Sequence, residues 1–288
     1  MHGLLLSSLL ALAADPAADL PDCPPTAFAE PGRWRVESVR EGEPPARGIA
    51  DIVRWEGGCV LLERLLIHFD DGTSHHLVFV HGAEPDGGAP RLLQLGDHPL
   101  FLLWRGEAGG RTYRTERPGA EGTVELRWRI RRSEPGFERE LQVRPPGGAW
   151  RSDEVVRYTP VRSAVRPAEL PARRPGPFHD PDACAAPPFR EMDHLLGHWL
   201  GEEWRRGGDG WTTRTVSHVS VRPVIGGCAL LGEHPVYENG SLTDRLLVVR
   251  GYDPDQERWR QVVFGHGGGV WEWGLEETGG GWVLTPER

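Results

Sequence analysis

The side chains in this sequence that could do chemistry are scattered, and their spacing argues against most reactions. His75 and His76 are adjacent on a strand-like run, with His68 and His81 nearby. Neighbouring residues on a strand face opposite ways, so the pair cannot converge on one metal ion. No Cys-x-x-Cys spacing and no G-x-S-x-G elbow occurs. The carboxylate pairs Glu202-Glu203 and Glu276-Glu277 read as solvated strand faces. The glycine run at Gly265–Gly269 has no following helix and no lysine, so a hairpin turn explains it better than a phosphate cradle. No catalytic residue, metal site or cofactor is assigned, and a non-enzymatic protein is expected.

What stands out instead is tryptophan, with 12 in 288 residues. Trp104, Trp128, Trp271 and Trp273 sit on the apolar register of strand-like runs, where a closed sheet would point them inward. There they would line a cavity for a small apolar ligand, with Arg105 and Arg127 at its mouth orienting an acidic head group. The competing expectation is a barrel packed solid with side chains, whose function lies in its surface as a structural or interaction module.

Those tryptophans need strands to position them, and strand signals dominate. Val124, Leu126, Trp128 and Ile130 alternate with Glu125, Arg127, Arg129 and Arg131, which marks a half-buried antiparallel strand. Trp271, Trp273 and Leu275 alternate in the same way. Turn signals such as Asp71-Gly72, Gly109-Gly110, Asp253-Pro254 and Gly279-Gly280 recur at short intervals. One short helix is predicted over Pro188–Gly197, with Phe189, Met192, Leu195 and Leu196 on one face.

The chain also repeats itself. Gly57–Leu62 reads GGCVLL and Gly226–Leu231 reads GGCALL, an offset of 228 − 59 = 169. At that offset Leu77 meets Leu246, Gly82 meets Gly251, Arg91 meets Arg260, Trp104 meets Trp273 and Tyr113 meets Trp282. With a small slip upstream, Trp34 meets Trp199 and Cys23 meets Cys184. Four cysteines allow three pairings. The repeat favours pairing within each copy, Cys23 with Cys59 and Cys184 with Cys228. The runs Thr123–Arg131, Phe137–Arg144 and Arg151–Tyr158 have no partner in the second copy, so that copy is expected to be truncated by three strands.

Residues 1–14 carry a short apolar stretch, LLLSSLLALAA, ending in small residues, and read as a signal peptide. Residues 22–161 form the first module, the Pro- and Arg-rich 162–183 a linker, and 184–288 the second module. No segment is long enough for a membrane span. The formal net charge of −9, with all basic residues arginine and none clustered apart from acids, disfavours nucleic acid. A periplasmic or secreted location follows from the leader and the paired cysteines.

The second copy reads F-R-E-M-D-H-L-L-G-H-W, then G-G-C-A-L-L-G-E-H, then G-Y-D-P-D-Q-E-R-W-R-Q-V, between Cys184 and Trp282. This resembles an uncharacterised bacterial family of exported lipocalin-like (calycin-type) β-barrels. In that family a Cys precedes an F-D-F-x-x-G-x-W start, and a G-G-C strand and a Y-D-P hairpin follow. Here Met192-Asp193-His194 stands in place of F-D-F, and the first copy has Ala83-Glu84-Pro85 where the hairpin should be. The resemblance implies all-β architecture: two tandem lipocalin-like antiparallel barrels, the second incomplete, with an internal cavity and no transferable reaction.

Overall fold

The computed structural model describes residues 30–161 and 184–287, apart from 56–57, 83–88, 98, 108, 186, 208–209 and 279–280. The expected leader, the linker, Cys23 and the Ala83-Glu84-Pro85 segment therefore lie outside the described residues. The architecture is all-β. Ten strands form a closed antiparallel barrel: β1 (Gly32–Arg40), β2 (Ala46–Arg54), β3 (Leu61–His68), β4 (Ser74–Gly82), β5 (Arg91–Gly96), β6 (Phe101–Gly106), β7 (Thr112–Gly119), β8 (Gly122–Ser133), β9 (Gly136–Arg144) and β10 (Arg151–Pro160). Each strand pairs with its sequence neighbour, and β1 closes the circle on β10, from Trp34 opposite Pro160 to Arg40 opposite Glu154. Closure leaves the barrel without an edge.

Seven further strands form a second, curled and open sheet: β11 (Gly197–Gly207), β12 (Gly210–Val224), β13 (Ala229–Glu238), β14 (Ser241–Asp253), β15 (Arg258–Gly265), β16 (Val270–Thr278) and β17 (Gly281–Pro286). Counterparts of β8, β9 and β10 do not occur among its described residues. Cys59 lies just before β3 and Cys228 just before β13.

The expected helix over Pro188–Gly197 is instead a run of turns ending in a single 3-10 turn, Asp193–Leu195. Few residues separate Pro188 from Gly197, too few to offset helix nucleation. Burial is nonetheless achieved, because Met192 is fully enclosed against Val221, Leu230, Trp259 and Leu275. Cys184 and Cys228 form a disulfide that ties this segment to β13 across 44 residues of sequence. Closing a loop of that length stabilises the fold by about 4 kcal/mol in the chain-entropy account.

Strand parity divides the barrel's side chains cleanly. Leu61, Leu65 and Ile67 of β3, Phe79 of β4, Leu92 of β5, and Leu102 and Trp104 of β6 belong to the interior core. Their neighbours Leu62, Val80, Leu93, Leu95 and Phe101 point outward, into a second core shared with Ala229, Leu231, Leu247, Val249, Val262 and Phe264. The outer face of β3–β6 is thus covered by β13–β16, and these strands are buried on both sides.

The contact is reciprocal. A Cβ on Gly82 would lie 2.6 Å from the Phe264 ring and 2.7 Å from Val270, and a Cβ on Gly251 would lie 2.4 Å from the Phe101 ring. Gly251 and Val270 occupy the same positions in the repeat as Gly82 and Phe101. Mutual contacts of this kind are what a two-fold arrangement of like surfaces produces. Both glycines are there because the opposing side chain fills the Cβ position. Gly251→Val is expected to lower unfolding stability by about 1–3 kcal/mol through overpacking, and shortening the facing side chain in Phe101→Leu/Gly251→Ala to recover part of it. Urea denaturation midpoints check this. A Gly251→Val midpoint equal to that of the parent would contradict the close contact.

Candidate functional site

The barrel interior is apolar along its walls, with two opposite charges set into the apolar register. Glu63 follows Leu61 and precedes Leu65 on the inward side of β3. Arg139 lies between Phe137 and Leu141 on the inward side of β9. Both are essentially inaccessible to solvent. Arg139 Nη2 donates to Glu63 Oε2 at 2.6 Å, and the Tyr158 hydroxyl donates to Glu63 Oε1 at 2.7 Å. His81 Nε2 lies 3.2 Å from Glu63 Oε2. An ionised carboxylate only accepts, so the His81 Nε2 proton is the one donated.

Burial disfavours the charge on Glu63, but the Arg139 charge, with the hydrogen bonds from His81 and Tyr158, outweighs it and holds the carboxyl at about 2. Desolvation lowers the His81 pKa despite the Glu63 carboxylate, leaving the imidazole neutral at pH 7. Burial raises the Tyr158 phenol well above its usual range. The cluster therefore carries one positive and one negative charge and is neutral as a whole. Aromatic faces complete the surroundings of the guanidinium, with the Phe79 ring 4.6 Å from its centre, Tyr158 5.2 Å and Trp128 5.6 Å. Phe137 stacks on Tyr158 at 4.2 Å, and Trp34 meets Phe137 edge-on at 5.2 Å.

Arg139 and Tyr158 form the inner limit of a cavity of about 480 Å³. Its walls are apolar: Leu65, Ile67, Leu77, Phe79, Leu100, Leu102, Leu126, Leu141 and Val156, together with Trp104 and Trp128. The two indoles lie 5.9 Å apart. Trp104 Nε1 donates to Gln94 Oε1 at 3.1 Å. At the other end stand Arg40, Phe69, His75, Asp153 and Glu154. Glu154 accepts from Ser38 Oγ at 2.5 Å and lies 3.6 Å from the Arg40 guanidinium.

The wall is thinnest between β6 and β7, which pair only through Arg105–Arg114 and Gly106–Tyr113. A polar cleft of about 400 Å³ lies outside this seam, and Leu102, Pro118 and Leu126 line both spaces. Arg117 of β7 is held to Asp255, in the β14–β15 turn, by two hydrogen bonds of 2.7 and 3.0 Å.

Of the residues singled out by sequence, Trp104 and Trp128 line the cavity. Arg105 and Arg127 do not. Each follows or precedes an inward tryptophan by one residue and so faces outward. Arg105 borders the outer cleft. Arg127 donates to Gln142 and lies 4.2 Å from the Trp150 ring centre. Trp271 and Trp273 belong to the second sheet and do not line this cavity; Trp271 is 44% exposed and Trp273 is partly buried. The arginines that do border the cavity are Arg40, Arg117 and Arg139, none of which the sequence pointed to. A charge on the inward parity of an otherwise apolar strand was the available signal, at Glu63 as well as at Arg139.

The second sheet does not repeat the charged cluster. At the 169-residue offset Gly232 stands for Glu63 and Arg250 for His81. Arg250 hydrogen-bonds Gln261 at 2.7 Å. The second disulfide expected from the repeat involves Cys23, outside the described residues. Among the described residues, no group of three or more His, Cys, Asp or Glu is placed to hold a metal ion.

Fold and site together define a β-barrel with an internal, apolar-walled cavity. No family model matches the chain, and no curated protein matches it. Among solved structures it is similar to a DUF3598-family protein of unknown function from Nostoc punctiforme. Identity is 12%, the match covers 88% of this chain and 82% of that one, and the TM-score is 0.27. A superposition this loose assigns no function.

The buried pair has a testable energetic signature. Glu63→Gln leaves Arg139 charged without its counter-ion and is expected to cost about 3–5 kcal/mol of stability, whereas Glu63→Gln/Arg139→Met should recover much of that loss. The folded-state pKa of Glu63 is depressed, so its contribution is complete above the unfolded value of 4.5 and is lost as pH falls toward about 2. Parent stability should therefore fall more steeply over that window than that of the double variant. Parallel slopes in pH-dependent urea melts would contradict the assignment.

Proposed function

We propose that this protein is a non-enzymatic binder of a small apolar molecule, held inside the ten-stranded barrel. The observation that carries the reading is the cavity of about 480 Å³ walled by leucine, isoleucine and two tryptophans. This falls within the ~300–1,000 Å³ range of small-molecule sites, and it weighs against a barrel packed solid. Binding would be driven by removing the ligand's apolar surface from water. The neutral Glu63–Arg139 floor would add shape and polarity without an uncompensated charge.

The matching strand order of β1–β7 and β11–β17, and the reciprocal glycine contacts, support the further proposal that both units descend from one duplicated lipocalin-like module. In this reading the first unit keeps the binding site and the second braces it. An exported location is part of the same proposal. The Cys184–Cys228 disulfide supports it, and no helix among the described residues is long and apolar enough to cross a membrane.

A neutral, environment-sensitive naphthalene dye tests the binding reading. Titration should give saturable enhancement of dye emission and quenching of tryptophan fluorescence. Leu102→Trp, which puts into the first barrel the residue that the second sheet carries as Trp271, should fill the space and weaken binding by about tenfold or more while the protein stays folded by circular dichroism. Equal binding by parent and folded Leu102→Trp protein would place the dye elsewhere and remove the support for the cavity.

A further inference from the structure

Resting on the cavity as the binding site, the polar atoms at its inner end narrow the chemistry of what it takes. The Trp104 indole N–H can only donate, so the Gln94 side-chain oxygen faces it. That leaves the two N–H donors of the Gln94 amide nitrogen, Nε2, on a side chain that lines the cavity. Trp128 lines the same space and is 97% buried, and its Nε1–H has no hydrogen-bond partner. Arg139 adds a guanidinium beside the Trp128 ring. Tyr158, the remaining polar group at this end, already spends its proton on Glu63. The inner end thus offers donors and almost no acceptors.

A buried donor without a partner costs about 1–3 kcal/mol, so the site discriminates in favour of a molecule that satisfies it. The charge balance decides what kind. Arg139 is already neutralised by Glu63 at 2.6 Å, and His81 is neutral. A ligand carboxylate would bury a second negative charge close to Glu63 with no cation of its own. An uncharged carbonyl oxygen accepts from the same donors without that cost.

We infer that the cavity takes an apolar, ring-sized molecule carrying an uncharged carbonyl oxygen, of the ketone, ester or quinone type. The carbonyl enters first and is received by Gln94 Nε2 and Trp128 Nε1. Fatty-acid-like anions are the wrong class for it.

Three naphthalenes of nearly equal shape test this on the full-length protein: 2-acetylnaphthalene, the hydrocarbon 2-isopropenylnaphthalene, and 2-naphthoate. Affinities come from calorimetry at pH 7. The ketone should bind about tenfold or more tighter than the hydrocarbon, and tighter than the carboxylate. Trp128→Phe and Gln94→Leu should each shrink the ketone-to-hydrocarbon ratio several-fold. That ratio is insensitive to a general loss of packing, which affects both ligands alike. Ketone and hydrocarbon binding equally would overturn this inference while leaving the cavity as a binding site. A carboxylate that binds tightest would overturn it in favour of an anion site. If none of the three binds, the inference and the cavity reading fall together.

Discussion

A carboxylate and a guanidinium shut away from water tolerate each other's presence and nothing less. Glu63 and Arg139 are both essentially inaccessible, 2.6 Å apart, and each would be strongly destabilising alone. Their pairing fixes β3 relative to β9 across the barrel interior. It also recruits Tyr158 from β10 and His81 from β4, so four strands of the closed sheet are tied to one point. Above that point the interior is apolar and unfilled. Below it Phe137 stacks on Tyr158 and meets Trp34 edge-on. The pair therefore sets both the depth of the cavity and the polarity of its inner end.

The second sheet is the counterpart of this arrangement on the outside. Strands β3–β6 turn one face to the cavity and the other to β13–β16, and so carry long apolar runs of the kind that doubly covered strands require. The covering sheet has Gly232 and Arg250 at the positions of Glu63 and His81, and so lacks the means to build the same floor. It does reach the barrel at its weakest place, since Asp255 grips Arg117 on β7, a strand that borders the seam where β6 and β7 barely pair.

Much of this was legible beforehand, because local patterns carry it. The alternation through Val124, Leu126, Trp128 and Ile130 located β8 and aimed Trp128 inward. The repeat anticipated Cys184–Cys228, and the three runs it left without a partner in the second copy are β8, β9 and β10. The same parity rule, applied strictly, would have turned Arg105 and Arg127 outward and picked out Glu63 and Arg139 as buried charges. Other features are not local. Closure of β1 on β10 depends on residues more than a hundred positions apart. Whether the interior is filled depends on how side chains from all ten strands meet. The shared core between the two units shows in sequence only as outward-facing leucines and valines with no stated partner. The helix expected over Pro188–Gly197 failed because its apolar spacing serves a turn that seats Met192.

If the apolar-walled space above the neutral ion pair is a binding site, it should be found occupied. Native mass spectrometry of protein purified without denaturation from the organism that makes it is the most direct measurement. The account predicts a complex heavier than the chain by a single small molecule, released on unfolding and missing from the Leu102→Trp variant prepared in the same way. A bare polypeptide mass in the parent, or an adduct that the filled variant retains unchanged, would contradict it.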